Sequence, residues 1–157
     1  MYSTNACCFI GHREINETEE LKSKILGVIE NLIVNEKVDT FLFGSKSRFD
    51  SLCLELVTEI KQKYPYVRRV YVRAEYANIS SEYKDYLLKF YDDTYYPERL
   101  IGATKAIYVK RNCEMIDCSR VCLIYCKENC YPKNRKSGAK IALEYATGRK
   151  KTIYLFN

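Results

Sequence analysis

The sequence lacks a secretory leader and any apolar stretch that approaches the length of a membrane-spanning helix. Its first residues, 1–5, run directly into an apolar segment typical of a β-strand. These absences argue against a secreted or membrane-embedded protein, so we expect a cytoplasmic location. Internal repeats and low-complexity tracts are also lacking, and we predict a single domain over residues 1–157.

Histidine is almost absent, because His12 is the only one, and this leaves the eight cysteines without a histidine partner for a metal site. Four cysteines recur at every fourth residue without forming a close CxxC pair: Cys118, Cys122, Cys126 and Cys130. We therefore expect buried or half-buried thiols in a reducing compartment, and we predict neither a metal nor a resident cofactor.

What the chain does contain is enough apolar sequence for one core and an excess of positive charge. A length of 157 residues allows most of the unfolded surface to be buried. The 26 Lys and Arg residues against 20 Asp and Glu residues give a net charge of +6. This excess favours an anionic partner, without choosing among a nucleotide, a nucleic acid and an acidic protein.

Short apolar runs alternate with segments of helical periodicity along the whole chain. Strands are predicted at residues 6–10, 40–43, 67–72, near 89–91, 121–126 and 152–156. Helices are predicted at residues 17–34, 52–60, near 81–88, 103–118 and 138–148. The alternation predicts an α/β fold, a Rossmann-like three-layer α/β/α sandwich with a mostly parallel sheet of five to six strands. The arginines of the third strand are expected to face solvent.

The turn at Gly44 follows the second predicted strand and is a candidate anion site. Glycine permits close backbone approach, and the free amides at a helix start favour negative charge. Two hydroxyls and two cations follow in order: Ser45, Lys46, Ser47 and Arg48. An ordinary strand-to-helix turn capped by Ser47 or Asp50 accounts for the same residues equally well.

The turn at Ser137-Gly138 repeats this chemistry before the last predicted helix. Lys136 and Lys140 are placed to neutralise a phosphate there. A capped helix start with its lysines in water is the alternative. Both turns are predicted to lie at the same edge of the sheet, where open α/β sheets bind ligands.

The residues Gly11, His12 and Arg13 directly follow the first predicted strand, and Arg13 offers a bidentate donor. No serine or cysteine nucleophile accompanies His12 in a recognised arrangement, so a binding or structural role is favoured over that of a general base. In the helix before the fifth strand, Arg111 and Asn112 diverge by about 100°, so at most one is expected to point into a given pocket.

Three tyrosines near a predicted loop are placed to stack on a base, although packing explains them as well: Tyr91, Tyr95 and Tyr96. At the end of the fourth long helix, Asp117 and Ser119 are the type of residue that terminates a helix by local hydrogen bonds.

Taken together, these motifs resemble those of the SLOG superfamily, the Rossmann-like group that contains DprA and the LOG phosphoribohydrolases. Within it the chain looks most similar to the small bacterial YpsA-like branch. The resemblance is carried by Cys8-Phe9-Ile10-Gly11-His12-Arg13, Phe43-Gly44-Ser45 with Phe49-Asp50, Arg111-Asn112 with Met115-Ile116-Asp117, and Lys136-Ser137-Gly138 with Glu144-Tyr145-Ala146.

The resemblance implies a small phosphorylated, nucleotide-like ligand at the carboxyl ends of the strands, sensed or sequestered rather than converted. The candidate ligand-binding residues are Gly11, His12, Arg13, Gly44, Ser45, Arg48, Asp50, Arg111, Asn112, Ser137, Gly138 and Lys140. It also allows a homodimer, which no heptad or long apolar helix face in the chain requires.

Two departures from the family pattern argue against hydrolase activity. Ala139 stands where branch members usually have threonine, and the glutamate of the LOG motif would fall at Ala142. The enzyme alternative, an N-glycosidic hydrolase, would use Glu144 or Asp117 as acid or base and Arg111 to orient the phosphate. A third alternative, single-stranded DNA binding, would use eight basic residues, at positions 127, 133, 135, 136, 140, 149, 150 and 151.

Overall fold

Six strands alternate with five α-helices in the part of the chain that the structure, a computed structural model, describes: residues 5–44, 46–127 and 136–157. The strands are β1 (Ala6–Gly11), β2 (Thr40–Phe43), β3 (Arg68–Val72), β4 (Asp93–Tyr95), β5 (Val121–Tyr125) and β6 (Thr152–Phe156). The helices are α1 (Glu19–Val34), α2 (Arg48–Lys61), α3 (Ser81–Leu87), α4 (Ile107–Asp117) and α5 (Gly138–Gly148), with a 3₁₀ turn at Glu98–Leu100.

The six strands form one sheet in the order β4-β3-β2-β1-β5-β6, and every neighbouring pair is parallel. From β1 the chain builds outward to β4 and then returns to the other side of β1. The order therefore reverses between β1 and β5, which is the point at which open α/β sheets bind their ligands. The predicted Rossmann-like α/β/α class is confirmed.

Helices cover both faces of the sheet, and this explains why the central strands read as uninterrupted apolar runs. On β1, Cys7 and Phe9 pack into the core beneath α1 and α2. Cys8 and Ile10 pack into the second core, beneath α4 and α5. No helix among the described residues is both long enough and apolar enough to cross a membrane.

Serine and threonine caps fix where four of the helices begin. The hydroxyls of Thr18, Ser47, Ser80 and Ser137 each accept the backbone N–H three residues ahead, at 3.0 or 3.1 Å. The first two helices therefore start at Glu19 and Arg48 rather than at the predicted residues 17 and 52. Ser47 and Ser137 therefore both cap a helix, as the alternative interpretation of each turn predicted.

The strand predicted near residues 89–91 is wrong, because β4 lies at Asp93–Tyr95. Residues 89–91 instead close the turn after α3, with Lys89 N–H bonded to the Tyr86 carbonyl and the next two N–H groups bonded to Leu87. What starts β4 is a contact across the sheet: the guanidinium of Arg69 donates to both carboxylate oxygens of Asp92, at 3.1 Å.

Two further expectations need correction. Of the β3 arginines, Arg68 is exposed, but Arg69 is half-buried because Asp92 holds it against the sheet. The helix predicted from residue 103 begins only at Ile107, since Ala106 has a φ of 55° and this left-handed conformation interrupts a helix.

Candidate functional site

The loops that follow β1 and β5 are joined by His12 at the point where the strand order reverses. His12 is 6 % exposed, and its Nε2 accepts the backbone N–H of Lys127 at 2.9 Å. Its ring lies edge-on to Tyr125, with centroids 5.9 Å apart. Burial lowers the pKa of His12, so the neutral ring that accepts this bond is the stable form. His12 therefore has a structural role at this edge.

Gly11 allows the start of α2 to pack directly on β1. A Cβ added at Gly11 would lie 2.5 Å from the ring of Phe49, which is fully buried. The backbone N–H of Arg48 donates to the carbonyl of Arg13 at 3.0 Å. These contacts bring the β1 loop and the Gly44 turn together. The space beside Gly11 is filled by the ring of Phe49, so a ligand cannot occupy it. The Arg13 side chain is exposed.

Gly44 makes the same kind of close approach, to helix α4. An added Cβ would lie 2.6 Å from both Cδ of Arg111 and Sδ of Met115. Arg111 is 4 % exposed; its Nη1 donates to the Gly44 carbonyl, and its Nε donates to Oδ1 of Asn112 at 3.1 Å. The prediction that at most one of Arg111 and Asn112 points into a given pocket stays a prediction, although the long arginine side chain folds back to bond to its neighbour.

A buried carboxylate faces this buried guanidinium. Asp50, in the first turn of α2, is 2 % exposed, and its backbone N–H is held by the Ser47 hydroxyl. Burial lowers the pKa of Arg111, while the negative charge of Asp50 acts in the opposite direction. The carboxyl end of β2 therefore carries one cation and one anion, both almost fully withdrawn from solvent.

Arg111 and Asp50 form a polar group at the carboxyl end of β2, and aromatic side chains lie next to this group on the side of β3. Tyr71 lies beside Phe43 in the sheet register, and its ring stacks on Tyr91 with centroids 5.1 Å apart. Burial raises the pKa of both tyrosines. Of the tyrosines considered from the sequence, Tyr91 lies here. Tyr95 instead donates to Glu114 at 2.9 Å, and Tyr96 donates to the Leu100 carbonyl at 3.3 Å.

The rim of the group is formed by residues that the sequence reasoning missed. Glu75 lies 3.8 Å from Nζ of Lys46 and accepts the Tyr108 hydroxyl at 3.4 Å. The guanidinium of Arg111 lies 5.6 Å from the centre of the Tyr108 ring. One available signal was Tyr71, a polar aromatic residue near the carboxyl end of β3, a strand whose arginines alone were considered from the sequence.

Arg48 points away from this group. Its guanidinium pairs with both oxygens of Glu17, at 2.6 and 2.7 Å, and with Glu55 at 3.1 Å. The hydrogen bond from Arg48 holds the pKa of Glu17 below its ordinary value. Arg48 thus ties the loop before α1 to the outer face of α2. Ser45, the predicted hydroxyl contact, lies outside the described residues.

The start of α5 lies at the same edge, beside β1 and β5. Ser137 caps the helix by accepting the N–H of Lys140, and Gly138 is exposed, with no atom of the described residues within 4 Å of an added Cβ. Ala139 is buried in the same apolar core as Ile10. The side of this helix start that faces solvent is therefore open, and Lys140 stands half-buried next to it.

The three residues considered for hydrolase chemistry do not meet. Glu144 is exposed and ion-paired to Lys136 at 2.8 Å, which lowers its pKa and makes it a poorer proton donor. Asp117 accepts the Tyr145 hydroxyl at 2.8 Å and a guanidinium N–H of Arg99 at 3.0 Å. Arg111 lies about 9 Å earlier along α4, where it bonds to Gly44.

Asp117 lines a cleft of about 1010 Å³, which also includes Arg120 and Thr152 beside the first residues of β5 and β6. This cleft therefore lies toward the amino edge of the sheet, opposite the loops described above. The two carboxylates of this cleft, Glu114 and Asp117, are already hydrogen-bonded within the protein, whereas the predicted ligand-binding residues lie at the other edge.

The basic residues considered for DNA binding separate into two groups. Lys136 and Lys140 lie at the start of α5, whereas residues 149–151 follow its other end, about 16 Å away. Residues 133 and 135 lie outside the described part of the chain. In the residues that can be placed, the basic positions do not form one continuous patch.

The regularly spaced cysteines occupy core positions. Cys122 and Cys126 are buried and Cys118 is half-buried, while Cys130 falls outside the described residues. In residues 5–44, 46–127 and 136–157 no three metal-ligating side chains come together.

Fold and site together define a Rossmann-like α/β domain whose buried charges and phenols collect at the carboxyl edge of the sheet. Compared with known proteins, the chain matches no family model and no curated sequence.

Proposed function

We propose that this chain is a SLOG-type binding domain that senses or sequesters a small phosphorylated nucleotide derivative at the carboxyl edge of its sheet. The observation that carries the proposal is the state of Arg111. Its Nη1 and Nε are hydrogen-bonded, but its Nη2 has no acceptor among the described residues, although the residue is 4 % exposed. A donor without an acceptor on a side chain that is otherwise buried and hydrogen-bonded favours a polar ligand as its partner.

The position of the remaining groups supports a phosphate at one end of that ligand. The open start of α5 lies next to the reversal of the strand order, with Gly138 exposed and Lys140 beside it. Helix amides and a lysine are suited to an anion. The net charge of +6 also favours one.

A thermal-shift panel of mononucleotides, dinucleotides, cyclic nucleotides and nucleotide sugars tests the proposal. A ligand at about 100 times its Kd stabilises the folded state by about 2.7 kcal/mol, which corresponds to a rise in Tm of about 5–10 °C for a domain of this size. We expect such a rise for one class. An unchanged Tm across the panel, for protein shown to be folded, would overturn the proposal.

Two substitutions at one position locate the phosphate. Gly138→Asp has room for its side chain and places a favourable charge at a helix start, so the protein without ligand should keep its Tm. The added carboxylate should abolish the ligand-induced rise by repelling the phosphate. Gly138→Ala, the matched control, should retain the rise. A rise that survives Gly138→Asp would place the phosphate elsewhere.

An N-glycosidic hydrolase is the second candidate, and Asp50 is the observation that favours it. This carboxylate is buried beside the guanidinium of Arg111, which is the type of setting that tunes acids and bases for catalysis. Release of free base from nucleoside monophosphates, lost in Asp50→Asn, would support turnover. Absence of release at high protein concentration would leave the binding function alone.

A further inference from the structure

Three tyrosine hydroxyls stand out because nothing in the described chain bonds to them: those of Tyr71, Tyr83 and Tyr91. All three side chains are half-buried. Elsewhere in the described chain most of the half-buried or buried tyrosines use their hydroxyls, as Tyr64 does with Glu30, Tyr125 with Asn16 and Tyr145 with Asp117. Among the described residues, Tyr154 on β6 is the one other half-buried tyrosine whose hydroxyl makes no hydrogen bond, so three of these four phenols lie in β3, α3 and the turn after α3.

The sheet register places two of them near the buried charges. Tyr71 pairs with Phe43, whose neighbour Gly44 accepts a hydrogen bond from the guanidinium of Arg111, and the ring of Tyr71 stacks on Tyr91. The pKa of Tyr91 is raised first by burial and then by Asp50, Tyr71 and Tyr83. The pKa of Tyr71 responds to Tyr83, Arg111 and Asp50 as well. Tyr71 and Tyr91 therefore lie near Arg111 at the carboxyl ends of β2 and β3, and Tyr83 and Asp50 are close enough to act on them electrostatically.

This region lies at a fixed distance from the phosphate end that we proposed above. Tyr71 is on β3, two strands from β1, and neighbouring strands are about 4.8 Å apart, so about 10 Å separates the two positions across the sheet. The phosphate is assigned to the β1 side, next to α5. What extends from it toward β3 is then the uncharged part of the ligand.

We propose that Tyr71, Tyr83, Tyr91, Asp50 and Nη2 of Arg111 form a pocket for the nucleoside end of the ligand, and that this pocket selects a ribonucleoside. Carboxylates accept hydrogen bonds from the vicinal hydroxyls of ribose, as acidic residues do in other doubly wound sheets. Phenols donate and accept, which suits the mixed polar edge of a base. This inference rests on the proposed function.

Calorimetric titration with a graded set of probes tests the pocket. The probes are inorganic phosphate, ribose 5-phosphate, the four ribonucleoside 5′-monophosphates and the matching 2′-deoxyribonucleotides. One ribonucleotide should bind at least tenfold more tightly than its deoxy form, because a site built to bond a hydroxyl discriminates against a ligand that lacks it. It should also bind at least tenfold more tightly than ribose 5-phosphate, which keeps the ribose hydroxyls but lacks the base that the phenols contact.

The double variant Tyr71→Phe/Tyr83→Phe removes two hydroxyls and keeps both rings. Each lost hydrogen bond should weaken the preferred ribonucleotide by about fivefold, and the pair by about twentyfold, while the affinity for ribose 5-phosphate stays unchanged. The control is Tyr66→Phe/Tyr154→Phe, which removes one exposed and one half-buried hydroxyl outside the proposed pocket. It should match the wild type with every probe.

The outcomes separate the two proposals. Equal binding of ribonucleotide by the wild type and by Tyr71→Phe/Tyr83→Phe, or equal binding of ribonucleotide and ribose 5-phosphate, would overturn the pocket and leave a phosphate site. Equal binding of ribo and deoxy forms would overturn the selection of ribose. If the wild type binds none of these probes, the pocket for a ribonucleoside is overturned, and the proposed function fails as well if the wider thermal-shift panel also leaves the Tm unchanged.

Discussion

The two edges of the sheet treat their charges in opposite ways. At the amino edge, Arg99 pairs with both Glu114 and Asp117. Each of these carboxylates also accepts a hydrogen bond from a tyrosine hydroxyl. At the carboxyl edge, Arg111 is almost fully buried, yet Nη2 lacks an acceptor among the described residues. The ions of the first edge satisfy one another, although the buried hydroxyl of Ser119 has no hydrogen bond among the described residues. At the second edge it is a guanidinium that keeps a donor without an acceptor in the described chain.

This difference shows why the size of a cleft is a poor guide here. The cleft of about 1010 Å³ lies at the edge whose carboxylates are already hydrogen-bonded. A ligand entering it would have to displace those bonds. A ligand at the carboxyl edge would instead supply a partner for buried or half-buried groups that have none in the described chain, which is energetically the easier site to fill.

Replacing the arginine at each edge should give the largest difference in stability between the two edges. Arg111→Met should lower the free energy of unfolding by about 3 kcal/mol or more, because it removes the donor on the Gly44 carbonyl and the cation that faces buried Asp50. Arg99→Met, at a side chain that is 38 % exposed, should cost about 1 kcal/mol or less. Urea unfolding of both variants measures the two effects.

A second cycle identifies the source of the Arg111 effect. Adding Asp50→Asn to Arg111→Met should recover part of the lost stability if the buried charges are coupled. Equal losses for Arg111→Met and Arg99→Met would remove the contrast between the edges.

Alanine at two glycines of the carboxyl edge should have opposite effects. Gly11→Ala should destabilise by about 2 kcal/mol, because its Cβ would lie 2.5 Å from the rigid ring of Phe49. Gly138→Ala has open space around its Cβ and lies in a helix, so it should be neutral or should stabilise by about 0.5–1 kcal/mol. Thermal melts of the two variants provide the measurement, and a tolerated Gly11→Ala would contradict the packing described for β1 and α2.

The only histidine makes the carboxyl edge sensitive to mild acid. Burial lowers the pKa of His12 in the folded protein, so the unfolded chain binds its proton first as the pH falls. Stability should therefore decrease from pH 7.5 to pH 5, by up to about 1 kcal/mol, since protonated histidine cannot accept the Lys127 N–H. Urea midpoints across this range should be flatter in His12→Gln. A wild-type profile as flat as that of the variant would rule out His12 as the cause.

Much of the fold could be predicted because its determinants are local. Strands covered on both faces give continuous apolar runs, and caps such as Ser137 and Thr18 mark helix starts within a few residues. The strand β4 could not be placed in this way, because it is three residues long and begins at a long-range contact between Arg69 and Asp92. Local pattern carries no information about such a contact.

The candidate site also has features that the sequence predicts and features that depend on tertiary contacts. That Gly11, Gly44 and Gly138 lie near strand ends or helix starts followed from the order of elements. That Phe49 and Arg111 fill the space beside the first two glycines did not, since this depends on tertiary packing. The unbonded hydroxyls of Tyr71, Tyr83 and Tyr91 likewise come from three different elements.

Arg48 offers the smallest and most discriminating test of what the sequence predicted against what the structure places at this edge. From the motif alone it is a phosphate contact, but its guanidinium is paired with Glu17 and Glu55 on the outer face of α2. Arg48→Ala should lower the Tm by no more than about 2–3 °C, because exposed ion pairs contribute little. It should also leave the ligand-induced rise in Tm unchanged, whereas Lys140→Ala, at the half-buried lysine beside Gly138, should reduce it. If Arg48→Ala abolishes the rise and Lys140→Ala does not, the phosphate lies at the start of α2 rather than at the start of α5.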